Sequence, residues 1–137
     1  MEKLDKLIPR AVKVLKKYGI VENNIYPGQF NGYISSFGAA INQSGLLPAV
    51  VFFAKDERAE DKRSHLLRVI RDLLDEDDNP QESTIQYTPM DMYEYIKNVS
   101  EEGRSMMNMM EQKIILRATA VKLALRLFQK KNDHGEN

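Results

Sequence analysis

The sequence predicts an all-α protein: a compact single-domain helical bundle of about six helices with a long central C-terminal helix. Three observations lead there. Apolar residues recur at three- and four-residue steps through most of the chain. Gly19, Gly45 and the acidic run closed by Pro80 punctuate those stripes. Only Ala49–Ala54 has strand-like composition, and no second such run exists to pair with its backbone donors.

Each element has its own justification. Leu4, Leu7, Ile8, Ala11, Val14, Leu15 and Tyr18 define one helical face, which Gly19 can terminate by adopting a positive φ. Residues 20–30, with Asn23, Asn24, Pro27 and Gly28, read as a loop. Tyr33, Ile34, Phe37, Ala40 and Ile41 form a second helix ended by Gly45, and Pro48 suits the first turn of a short third one. Over residues 58–75, Leu66, Leu67, Ile70, Leu73 and Leu74 share an inner face, while Asp61, Lys62, Arg68, Arg71 and Asp72 are expected to point outward. The acidic run and Pro80 open a polar connector to about Tyr87. Thr88-Pro89-Met90-Asp91 is a helix start, with an N-cap threonine, proline at N1 and an acid at N3; Tyr93 and Ile96 face inward from it. Ser100-Glu101-Glu102 is expected to open the longest helix, reaching about Lys131. Its apolar groups fall in two strips, one from Met107 to Phe128 and one of Met109, Leu116, Leu123 and Leu127, so both sides need covering. One domain over residues 1–131 and a polar tail over 132–137 are expected from the length of 137 residues.

The longest apolar run, Leu46 to Ala54, has nine residues and contains Pro48, whereas a membrane span takes ~20. No cysteine is present, and the first turn mixes charges, so the expectation is a cytoplasmic protein without disulfides. Chemistry is hard to assemble from what remains. His134 sits in the tail, and His65 has no histidine or carboxylate at i+4, so no helical zinc site forms. The glycines match no phosphate-cradling loop, and the run Asp75–Asp78 lacks the alternation of a calcium loop. We therefore expect no metal, no cofactor and no catalytic residue. The cluster Met106, Met107, Met109, Met110 is either core filling or an adaptable binding face.

Net charge is zero but unevenly spread: residues 1–19 hold six basic and two acidic groups, and residues 72–102 hold ten acids against Lys97 alone. Lys3, Lys6, Arg10, Lys13 and Lys17 fall at alternating steps of three and four, a cationic row that no acid interrupts. Lys122, Arg126 and Lys130 repeat the pattern on the last helix. Rows of this kind can follow a phosphate backbone without reading bases. Arg117 instead falls among apolar positions, where it is expected to pair with a buried carboxylate or carbonyls.

Two segments carry a family likeness. Tyr33–Lys55 (YISSFGAAINQSGLLPAVVFFAK) and Ile115–Phe128 (ILRATAVKLALRLF) resemble the small helical subunit of Cmr-type (type III-B) CRISPR effector complexes. This chain has Ala39-Ala40 where that family often shows Leu-Pro. The resemblance implies a non-catalytic subunit present in several copies, which contacts sibling subunits and helps to hold guide RNA and target RNA, with cleavage residues elsewhere. It adds Lys55, which ends the first signature, to the candidate contacts. The other reading is a helical protein–protein interaction module with no nucleic-acid role, working through the methionines or the acidic run.

Overall fold

The computed structural model describes residues 3–75 and 85–131. The acidic residues after Asp75 and the tail with His134 lie outside the described residues. The element order is α1 (Leu4–Lys17), β1 (Ile25–Pro27), α2 (Phe30–Ser44), α3 (Leu46–Phe53), α4 (His65–Leu73), α5 (Pro89–Ser100), α6 (Arg104–Leu125) and β2 (Gln129–Lys131). Among the described residues the fold is all-α apart from the short pair β1–β2.

Helix α1 ends as its sequence dictates. Gly19 takes φ +72°, its N–H donates to Lys16 O at 3.1 Å, and Ile20 N–H reaches back to Leu15 O at 3.0 Å. This double closure satisfies carbonyls that a helix end leaves bare, and it buries Ile20. Gly45, at φ +94°, separates α2 from α3, with Pro48 in the first turn of the latter. Ala49–Phe53 is therefore helical, and Phe53 packs edge-on to Phe37 with centroids 5.2 Å apart. At α5 the Thr88 hydroxyl accepts from Asp91 N–H while the Asp91 carboxylate accepts from Thr88 N–H, a complete capping box.

Helix α6 is central. It packs against α1, α2, α4 and α5, with Met110, Ile114, Val121 and Leu125 buried. Its second strip is only partly covered, contrary to the expectation: Leu116 packs against the core, whereas Met109, Leu123 and Leu127 are exposed. The methionine cluster is split accordingly, with Met110 in the core, Met107 against it, and Met106 and Met109 at the surface.

Three boundaries differ from those expected. Helix α4 begins at His65 rather than residue 58, because polar side chains hold the preceding chain in turns. Asp56 accepts from both the N–H and the hydroxyl of Ser64 at 2.8 Å, and Asp61 accepts from Arg58 N–H at 2.9 Å. Ser100–Glu102 close α5, and α6 starts after Gly103 at φ +105°. Beyond Leu125 the chain makes i→i−3 turns and then runs parallel to β1, pairing Ile25 with Gln129 and Pro27 with Lys131. The loop expected at 20–30 thus holds a strand, and the last helix stops short of Lys131. The approach is close at Gly28, where a Cβ would stand 2.5 Å from Lys131 O. Gly28→Ala is therefore expected to displace β2 and cost about 1–3 kcal/mol in chemical denaturation; Gly32→Ala, with open space around its Cβ, should not destabilise.

Candidate nucleic-acid interface

The cationic row of α1 is not one surface, because α4 packs beside it. Arg10 folds inward and donates through Nη2 to Asp75 O at 2.5 Å and to Leu73 O at 3.3 Å. Lys17 meets the Asp72 carboxylate at 2.7 Å, with the two side chains 16% and 6% exposed. Asp72 is buried, not outward-facing as its place in the helical pattern suggested. It also accepts from the Tyr18 hydroxyl at 2.9 Å, and that hydroxyl in turn accepts from Tyr87 N–H at 2.9 Å. Lys3, Lys6 and Lys13 stay exposed. The alternation follows from geometry: steps of three and four drift around a helix, so successive members of one row lean toward and away from a neighbour.

Arg117, 1% exposed, approaches the same end of α4 from the other side. Its Nε donates to Leu73 O at 2.8 Å and Nη1 to Lys113 O at 3.0 Å. The expected carbonyl pairing is what the structure shows. Two guanidinium groups thus cover carbonyls at the C-terminal end of α4, where bare acceptors and the helix dipole both favour cations. A third arginine, Arg71, lies between the rings of Tyr87 and Tyr95, 4.3 and 4.5 Å from their centroids, and pairs with Asp75 at 2.9 Å. Burial, then the hydrogen bond to Asp75, pushes the Tyr87 phenol up to about 12. Burial likewise raises the Tyr18 phenol, so both hydroxyls stay protonated as donors near neutrality.

The cations of the C-terminal end behave differently. Lys122, Arg126 and Lys130 are all exposed, and Lys122 reaches across to the Ser35 hydroxyl on α2 at 2.9 Å. Because α1 packs along α6, the two basic ends of the chain are neighbours in space. Lys16 marks the junction, with its ammonium 5.6 Å from the Phe128 ring centroid. Lys55 is exposed just past α3, and its carbonyl accepts from Arg63. The Arg63 guanidinium covers Phe52, 62% exposed, at 5.0 Å, and Phe53 at 5.4 Å. Arg63 and Phe52 were not among the sequence candidates, because ten residues separate them and the intervening turn brings them together.

Among the described residues no group of three or more histidine, cysteine or acidic side chains is placed to hold a metal ion. Likewise no helix is long and apolar enough to cross a membrane. His65 is half-buried on α4; burial, then Arg68 and Lys62, lower its pKa, so its imidazole is neutral near pH 7.

Comparison with known families finds that the family model described as CRISPR-associated protein (Cas_Cmr5) matches residues 8–131. No curated protein and no solved structure matches the chain.

The division of the cations predicts unequal stability effects. Lys17→Ala leaves the buried Asp72 without its ammonium and is expected to cost roughly 1–3 kcal/mol, against less than about 0.5 kcal/mol for Lys6→Ala, in urea denaturation. A lowered histidine pKa means that the unfolded chain binds the proton first on acidification. Stability contributed by neutral His65 is thus present above the unfolded value of ~6.5 and lost as pH falls through the folded one. Between pH 7 and pH 5 the His65→Gln variant should lose less thermal stability than the parent.

Proposed function

The chain belongs to the Cas_Cmr5 family of CRISPR-associated proteins and is a small subunit of the Cmr5 type, and on that premise we propose that it is a non-catalytic, RNA-contacting scaffold subunit of a type III-B effector complex in antiviral defence. The observation that carries the reading is the family match across residues 8–131 joined to the meeting of the chain's two basic ends. A cationic exterior acts on RNA by releasing condensed counterions from phosphates, which requires no base recognition and no reacting group. In this reading the complex sits in the cytoplasm with several copies of this subunit, and it relies on its siblings for cleavage.

Of the candidate contacts, Lys6, Lys13, Lys55, Lys122, Arg126 and Lys130 are exposed and are assigned to guide or target RNA. Arg10 and Lys17 are committed to α4 and serve the interface by fixing the helix that carries Lys6 and Lys13. The exposed apolar residues Met106 and Met109 on α6 and Leu127 just beyond its end suit contacts with sibling subunits or other copies, since they would otherwise stay wet.

The test is the salt dependence of RNA binding by the assembled complex. Replacing Lys6, Lys122 and Lys130 by alanine should flatten the plot of log affinity against log salt by about 0.7 for each single-strand phosphate deprived of its lysine. An unchanged slope, with assembly intact, refutes the proposed contacts.

A further inference from the structure

Between α2 and the C-terminal half of α6 lies an open groove of about 320 Å³ whose chemistry differs from that of the surrounding surface. Its floor is apolar, formed by Ile34, Ile41, Ala118 and Leu123. Its rim carries Lys122 and Arg126, one helical turn apart, and among the described residues no acidic side chain lines it. Gly38 lines the α2 side of the groove, and the space there is open: a Cβ would meet nothing within 4 Å. Lys122 spans the opening to Ser35, a neutral partner that leaves the ammonium its charge.

We propose that this groove takes one unstacked base of a single-stranded RNA, with the flanking phosphates held by Lys122 and Arg126. Size and charge both select that occupant. The volume of about 320 Å³ is at the low end of small-ligand sites, ~300–1,000 Å³, a size that suits a single base. Two cations above an apolar floor complement an anionic chain with flat, weakly polar side groups; single-strand binders likewise join a cationic groove to a surface on which bases rest, aromatic there and aliphatic here. The groove would let the subunit discriminate unpaired from paired nucleotides, because a base in a duplex cannot enter it. This inference rests on the RNA-binding reading above and extends it from phosphates to bases.

The experiment compares a short single-stranded RNA with an abasic phosphodiester of equal length and charge, each titrated against the full chain by fluorescence anisotropy. The base-bearing strand should bind roughly tenfold tighter. Gly38→Met, which fills the groove from open space, should erase that difference without lowering the melting temperature, while Lys122→Ala weakens both strands. Equal, salt-sensitive binding of both strands by the parent protein overturns the base slot and leaves the phosphate reading standing. No binding of either strand overturns the slot, whereas the phosphate reading is decided by the assembled complex. Self-association of the parent that Gly38→Met abolishes would assign the groove to a second copy and overturn the slot. Should Gly38→Met lower the melting temperature, 2-aminopurine in the strand decides: emission shifted by a dry, unstacked site supports the slot, and unchanged emission overturns it.

Discussion

The C-terminal turn of α4 is the constraint on which the rest of the molecule depends. It presents carbonyls and a carboxylate to the interior, where each must find a donor because no water competes for them. Arg10 and Lys17 come from α1, Tyr18 from the end of that helix, the Tyr87 hydroxyl from the approach to α5, and Arg117 from α6. Apolar packing would tolerate some sliding of these helices. A set of directional hydrogen bonds converging on one helix end does not, so the junction specifies how α1, α4 and α6 sit together.

That requirement also explains how the cations are allotted. The chain commits Arg10, Lys17, Arg71 and Arg117 to its own architecture, and what remains outside is concentrated on the exposed positions of α1, the last turns of α6 and β2. A short parallel pairing of Ile25–Pro27 with Gln129–Lys131 ties the end of the chain to the segment after α1. It thereby holds Lys130 beside the fold rather than on a free extension of α6. Fixing the backbone that carries these cations fits the proposed phosphate contacts, since ordering a free extension on binding would cost entropy.

Much of this was legible in the residues. The order of the helices, the stops at Gly19 and Gly45 and the helix start at Thr88 follow from local chemistry, and the burial of Arg117 from its place among apolar positions; that carbonyls rather than a carboxylate receive it at Leu73 did not. The family likeness carried by Tyr33–Lys55 and Ile115–Phe128 agrees with the match over residues 8–131. Of the candidate interface, the row on α1 and the steps of four on α6 were readable, and so was the division of the chain into basic ends and an acidic middle. The β pairing was not. Gln129-Lys130-Lys131 has no strand signature and no breaker precedes it, so its partner is decided by distant contacts.

The sequence by itself determined the all-helical class and the helix order, because periodicity, caps and breakers act over a few residues and need no distant partner, and the likeness of two segments pointed to the family. Only the tertiary structure decided that Lys17 and Asp72 pair out of solvent. Asp72 and Lys17 occupy positions that helical periodicity assigns to solvent, and they turn inward because α1 and α4 supply each other's counter-charge at close range. The groove between α2 and α6 is tertiary in the same sense. Gly38 is an ordinary helical glycine until a second helix stands opposite it with two cations on its edge.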